Sequence, residues 1–266
     1  MQMPINTFKQ ALAGQQTQLG LFMGLGHPVS AEILATCGFD FLLIDAEHGL
    51  NDLRGIQAQL QAIAAYPTPC LVRPPNHDPS LIKQLLGIGV QTLLVPMVET
   101  AEQARQLVRA TRYPPHGMRG VGTGLERGAR WNAVPDYFTQ ADAQTCLIVQ
   151  VESRQALDQL DEIAQVEGVN GVFLGPSDLA ASLGHLGKPG HPEVKQAIET
   201  ALQRIRRHGK SAGVFCADLA LVETYRASGA GFLALGADTG LLRSAALQLL
   251  NKVRPQAGAA TAGAGY

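Results

Sequence analysis

Cys146-Leu147-Ile148-Val149-Gln150-Val151-Glu152 and Gly171-Val172-Phe173-Leu174-Gly175-Pro176-Ser177-Asp178 bracket one structural unit of this chain. Each opens as a run of apolar and β-branched residues and closes on an acid, the pattern of a short strand that delivers a carboxylate at its end. Between them, residues 154–165 carry helical amphipathic spacing, with Ser153 placed as an N-cap and Gly168 at the helix exit. Strand, helix and strand joined by short turns predict parallel neighbours, and parallel α/β proteins place their chemistry where such strands end.

The same alternation extends both ways. Strands are predicted at 19–25, 39–45, 70–73, 92–96, 146–152, 171–174, 211–215 and 231–235. Amphipathic helices are predicted at 29–37, 52–64, 79–86, 101–111, 154–165, 192–208, 219–227 and 240–253. Gly38, Gly89, Gly168, Gly209 and Gly229 stand between a helix and the next strand, where the left-handed cap belongs. Ser153, Asp218 and Asp238 are the expected N-caps. Eight units match a (β/α)8 TIM barrel formed by residues 1–254, with an open doubly wound sheet as the alternative.

Two segments depart from the alternation. Residues 113–144 contain Pro114-Pro115, the Gly120–Gly124 cluster, Arg119, Arg127, Arg130 and Trp131, and loops of this length are usually functional or disordered. The cluster follows no strand and precedes no Gly-Lys-Ser/Thr, so it reads as a mobile loop, not a phosphate cradle. Residues 184–192 form the second. The Ala/Gly-rich residues 255–266 are expected to be a disordered tail.

With 266 residues, 46% hydrophobic, the chain is long enough to bury one sizeable core. A formal net charge of −1 offers no basic field for nucleic acid. No 18-residue apolar stretch calls for a membrane, and Thr7-Phe8-Lys9-Gln10 is not the start of a signal core. Cys37, Cys70, Cys146 and Cys216 show no Cys-x-x-Cys spacing and read as buried free thiols, which suits a cytoplasmic protein.

Four polar side chains follow strand ends. Glu152 and Asp178 are hard oxygen donors, suited to Mg2+ or Mn2+ more than to Zn2+, although each taken alone reads more often as a helix cap or a solvated acid. Arg73 precedes Pro74-Pro75 and stays charged, so it suits an oxygen that becomes an enolate; a plain salt bridge is the bland reading. His48, in the polar loop after Phe41-Leu42-Leu43-Ile44, is the leading general base, with Asp45 near enough to raise its basicity. The remaining histidines form no ligand spacing. No lysine ends a strand, which disfavours Schiff-base chemistry.

These residues belong to longer motifs: Leu43-Ile44-Asp45-Ala46-Glu47-His48-Gly49, Val72-Arg73-Pro74, Leu94-Val95-Pro96-Met97-Val98-Glu99, Val149-Gln150-Val151-Glu152 and Gly175-Pro176-Ser177-Asp178-Leu179. Together they resemble the metal-dependent pyruvate aldolases acting on 4-hydroxy-2-oxoheptanedioate or 2-dehydro-3-deoxyglucarate, over residues 7–253. Ala129-Arg130-Trp131-Asn132 leans toward the first branch and Gly184-His185-Leu186-Gly187 toward the second. The resemblance implies a barrel, usually hexameric, with its last helix exchanged between partners. It implies Glu152 and Asp178 as ligands of Mg2+ or Mn2+, with Co2+ a further option. It also implies His48 as proton acceptor, Arg73 as enolate stabiliser, and Gln150 and the backbone at Ser177 as keto-acid contacts. Where relatives carry an aspartate that reaches a neighbouring subunit's histidine, this chain has Gly87, which leaves Asp45 as the expected support for His48.

The reaction expected from these groups is reversible cleavage of a 4-hydroxy-2-oxo acid to pyruvate and an aldehyde, with Val121 and Phe215 lining the aldehyde side. An acyl-CoA lyase on a related barrel and a non-catalytic keto-acid sensor are the alternatives.

Overall fold

A computed structural model describes residues 1–14 and 16–254; the predicted tail at 255–266 lies outside the described residues. The strands are β1 (Gln18–Met23), β2 (Phe41–Asp45), β3 (Cys70–Arg73), β4 (Thr92–Val95), β5 (Cys146–Val151), β6 (Gly171–Leu174), β7 (Ser211–Phe215) and β8 (Ala230–Ala237). They pair in chain order, all parallel, and β8 returns to β1 to close a barrel. The open-sheet alternative is thereby excluded. Each strand matches an expected one, with ends moved by up to two residues.

The helices are α1 (Thr7–Leu12), α2 (Pro28–Ala35), α3 (Leu53–Ile63), α4 (Pro79–Gly87), α5 (Ala101–Thr111), α6 (Tyr137–Gln144), α7 (Arg154–Asp158), α8 (Leu160–Gln165), α9 (Pro176–Ser182), α10 (Pro192–Arg207), α11 (Val222–Ala227) and α12 (Asp238–Val253). The single helix expected over 154–165 divides at Gln159, and the start of the 219–227 helix is a 3-10 turn. Helices α1, α6 and α9 were not expected, because each is shorter than the window of about 11 residues over which helical spacing is read. The five helix-exit glycines all have positive φ, from +70° at Gly209 to +103° at Gly229. Ser153 and Asp218 cap as expected. Asp238 does not: it is the first residue of α12, and its carboxylate instead accepts the N–H groups of Gly24 (2.8 Å) and Leu25 (3.2 Å).

Alternation along the strands divides the molecule into two cores. The outward residues meet the helices. The inward ones, Phe41, Leu43, Leu71, Leu94, Cys146, Ile148, Phe173 and Phe232 among them, fill the barrel. Phe8 of α1 is fully buried, edge-on to Phe41 and Phe232 at 5.1 and 5.8 Å, so α1 closes the end where the strands begin. Gly20 and Gly213 make room for this stack, since a Cβ at either would overlap the rings of Phe41 or Phe232. The side chains that continue the inward rows past the filled layers are Asp45, Arg73, Gln150 and Glu152.

The 113–144 segment is more ordered than a mobile loop. Tyr113, Ala129, Val134, Tyr137 and Ala141 form a small core of their own. Buried Arg119 lies 4.4 Å over the Tyr113 ring and 3.4 Å from Glu126. All four cysteines are free; Cys37, expected to be buried, is exposed in the turn after α2. Burial pushes the thiols of Cys70 and Cys146 up to about 12 and that of Cys216 to about 11. Among the described residues, no helix is long and apolar enough to cross a membrane. Helix α12 has Asp238 as its only buried residue, while Leu241, Leu242, Leu249, Leu250 and Val253 face solvent.

Candidate active site

A cavity of about 550 Å³ opens where the strands end. Its wall includes Asp45, His48, Arg73, Gln150, Glu152, Ser177, Asp178 and Phe215, so eight of the nine expected site residues share one cavity. Val121 is the ninth. It lies outside the wall and is 69% exposed, because the 113–144 segment packs beside the barrel and not over its mouth.

The register of β2 on β3 places Asp45 opposite Arg73. The carboxylate accepts from Arg73 Nε at 2.8 Å and Nη2 at 2.7 Å, a two-pronged contact. Arg73 Nη1 lies 2.9 Å from Glu47 Oε2 and 3.5 Å from Gln150 Oε1. Guanidinium has five N–H donors, so an Nη2 hydrogen remains to meet a ligand. Its face rests 4.9 Å from the centre of the Phe22 ring. Burial opposes the charge, but the bonds to Asp45 and the charges of Asp45, Glu47 and Glu152 hold the pKa above the usual arginine value.

Glu152 follows β5 on the same inward row as Gln150 and is 2% exposed. Its Oε1 accepts the Met97 N–H at 2.9 Å, and its Oε2 accepts from the Gln150 amide. Burial, the dominant effect, pushes its pKa up to about 7; the two hydrogen bonds lower it, and the charges of Glu47 and Asp178 raise it. Gly175 is what permits the approach of β6: a Cβ there would overlap Glu152 Oε2. Asp178 stands in the first turn of α9, whose N-terminus has Pro176 and no side-chain cap. The first-turn N–H groups of Ser177 and Asp178 therefore border the cavity without a capping partner.

This donor set fits a hard divalent cation. Glu152 is a carboxylate whose proton affinity is raised chiefly by burial and further by two neighbouring acids, the environment a bound cation would relieve, and oxygen donors select Mg2+ or Mn2+. A Cβ at Gly175 would press on Glu152 Oε2 and the Gln150 amide, and glycine leaves that space open.

Asp45 does not support His48 in the expected way. Both its oxygens are held by Arg73, and Oδ1 also takes the backbone N–H groups of Glu47 and His48, so it fixes the loop but does not reach the ring. The carboxylate that faces the ring is Glu47, with Oε2 at 3.7 Å from His48 Nε2. Burial raises the Glu47 pKa, Arg73 lowers it and Asp45 and Asp178 raise it, with a net rise. His48 itself is 56% exposed at the cavity mouth. Gly87 is buried at the end of α4, and the Glu126 side chain occupies its flank, with Cγ 3.2 Å from where a Cβ would stand.

Sequence reasoning missed several wall residues: Phe22, Gly24, Leu25, Leu50, Phe173, Ala237 and Thr239. Most follow β1, β2 or β8, so the strand-end rule applied to apolar as well as polar residues would have found them. The sequence also gave no hint that His185, His191 and Glu193 come together, with ligand-capable atoms within 4.8 Å. The 184–191 turn stacks the two rings at 3.5 Å. His191 Nδ1 accepts the Glu193 N–H as the cap of α10, and His185 bonds Glu193 at 2.7 Å, so these atoms already have partners.

Comparison with known proteins gives the same picture over nearly the whole chain. Residues 18–245 match the family model described as HpcH/HpaI aldolase/citrate lyase. A hydroxypyruvate/pyruvate aldolase of Deinococcus radiodurans is 64% identical over 244 residues, 92% of this chain and 88% of that protein. A 4-hydroxy-2-oxo-heptane-1,7-dioate aldolase of Escherichia coli is 52% identical over 258 residues, 97% and 98% of the two chains. The crystal structure of a HpcH/HpaI aldolase/citrate lyase family protein from Burkholderia cenocepacia superposes with a TM-score of 0.90 at 42% identity, covering 94% of this chain and 99% of that one.

Proposed function

The chain belongs to the HpcH/HpaI aldolase/citrate lyase family, and from that premise we propose that it cleaves a 4-hydroxy-2-oxo acid reversibly to pyruvate and an aldehyde. The observation that carries this reading is the single cavity in which Glu152, Asp178, Gln150, Arg73 and His48 converge.

Glu152 and Asp178 would hold a divalent cation, Mg2+ or Mn2+ with Co2+ as a third option. When bound, such an ion supplies Lewis-acid stabilisation of the negative charge that develops on the keto acid. The chain's own groups do the rest. The uncapped N–H groups at Ser177 and Asp178 receive the substrate carboxylate. Gln150, tied to Glu152 and Arg73, fixes the floor beneath the keto group. His48 takes the proton of the 4-hydroxyl. The C3–C4 bond then breaks, its electron pair passes into the enolate of pyruvate, and the aldehyde carbonyl forms. The remaining Nη2 hydrogen of Arg73 meets the enolate oxygen, a contact worth roughly 3–4 kcal/mol in comparable sites. Solvent supplies the proton at C3 that completes pyruvate, and His48 releases to solvent the proton it took, so the cycle closes. Phe215, edge-on to Phe22 at 5.3 Å, lies with Leu25 and Leu50 on the open side, where the aldehyde leaves.

The solvent-facing leucines of α12 support a homo-oligomer, hexameric as the family resemblance implies, in which this helix covers a neighbour. A cytoplasmic enzyme of small keto acids, with neither nucleic acid nor membrane as partner, suits the near-zero net charge.

The deciding assay follows pyruvate release from a racemic 4-hydroxy-2-oxo acid, with EDTA and after Mn2+ is restored. Loss with the chelator and recovery with the ion are expected; undiminished release after complete chelation would reject the role of Glu152 and Asp178.

A further inference from the structure

A histidine that accepts a proton during reaction gains from a carboxylate that orients its ring and favours its charged form. In this chain the carboxylate that lies within 4 Å of the His48 ring is that of Glu47. Its Oε2 lies 3.7 Å from His48 Nε2 and 2.9 Å from Arg73 Nη1, yet makes no hydrogen bond of good geometry, so it retains accepting capacity. The side chain is 16% exposed and takes no part in the cavity wall, which passes from Asp45 to His48 and Gly49. Glu47 thus stands beside the ring without lining the cavity. Asp45 is not free for this task, since Arg73 holds both its oxygens.

We infer that Glu47 is the positioning residue of the proton transfer: one carboxylate oxygen, shared between the His48 ring and Arg73, orients the ring and joins the proton acceptor to the enolate stabiliser. The inference rests on His48 being the proton acceptor. With the Nε2 hydrogen directed at Glu47, Nδ1 is the nitrogen that receives the 4-hydroxyl proton. The arriving charge turns the 3.7 Å contact into an ion pair. When the reaction runs toward condensation the same proton returns to the new hydroxyl, so nothing is consumed.

The test is a double-mutant cycle on the Mn2+-loaded enzyme, with E47Q, H48A and E47Q/H48A read by kcat/KM for cleavage. E47Q is expected to cost roughly 10- to 100-fold with His48 present, the usual effect of removing such a supporting carboxylate, and less than about twofold in the H48A background. Proton exchange at the pyruvate methyl group, which involves no 4-hydroxyl, is expected to fall far less than cleavage. The acid limb of kcat/KM against pH is expected to move to lower pH in E47Q and to recover in E47D, which keeps the charge. The other charged groups on the cavity, Asp45, Arg73, Glu152 and Asp178, are unchanged in both variants. An equal loss in both backgrounds, or exchange falling in step with cleavage, overturns the inference by placing the effect on Arg73 or the fold. Native activity in H48A overturns something different, the role of His48 itself.

Discussion

Glu152 allows a quantitative test of the metal site that does not depend on turnover. Its pKa is pushed up to about 7 from an ordinary 4.5, chiefly by burial. Below pH 4.5 the carboxyl is protonated in both the folded and unfolded chain and contributes nothing. As pH rises, the unfolded chain ionises freely while the folded one holds its proton, so folding is progressively disfavoured until the pH passes the folded value. A shift from 4.5 to about 7 corresponds to about 3 kcal/mol of stability lost across that window at 1.36 kcal/mol per pH unit. Glu152→Gln removes the titration and keeps the shape. Urea unfolding of both proteins in EDTA, at equal protein concentration and at steps from pH 4.5 to 7.5, isolates the contribution as their difference. Wild type is expected to lose about 3 kcal/mol relative to the variant as the pH rises. Saturating Mn2+ supplies the missing positive charge and should reverse the trend in wild type alone, adding about 2.7 kcal/mol at a hundredfold excess over Kd. A difference that stays flat, or a wild type that gains stability relative to the variant as the pH rises, would refute the claim that this carboxylate is buried without a cation of its own.

Other consequences are measurable directly. Gly175→Ala drives a methyl group into Glu152 Oε2, and Mn2+ affinity measured by calorimetry should fall at least about tenfold with little change in the circular dichroism spectrum. Arg73→Lys loses the two-pronged contact with Asp45; kcat/KM should fall roughly 100- to 1000-fold, with a smaller change in Mn2+ binding. Phe232→Ala empties the centre of the barrel stack and should cost roughly 3–5 kcal/mol in urea unfolding. Leu241→Asp with Leu249→Asp charges the open face of α12, and light scattering should show a smaller assembly; an unchanged mass would remove α12 from the interface.

The chemistry was legible in the sequence to the extent that position along a strand carries it. Asp45, Arg73, Glu152 and Asp178 each follow an apolar run, and the barrel gathers strand ends on one rim, so their convergence follows from the strand–helix alternation. The helix exits were equally legible, because glycine alone takes the left-handed cap cheaply at Gly38 or Gly229. Short elements were not: a helix of six residues such as α1 shows less than two turns of pattern, and its position depends on Phe8 finding the barrel floor.

What the sequence by itself determined is thus the order of the elements, their closure into eight parallel strands and the set of polar groups at the rim. Each is encoded locally, in hydrophobic period and turn chemistry. What only the tertiary structure decided is how those groups pair. Register puts Asp45 against Arg73, which commits its carboxylate to the guanidinium and the loop backbone and leaves Glu47 to face the His48 ring. The packing of residues 113–144 on their own small core sets Val121 outside the cavity. These are matters of a few ångströms between residues distant in the chain, where pleat, twist and competing partners decide which of several nearby carboxylates a given cation meets.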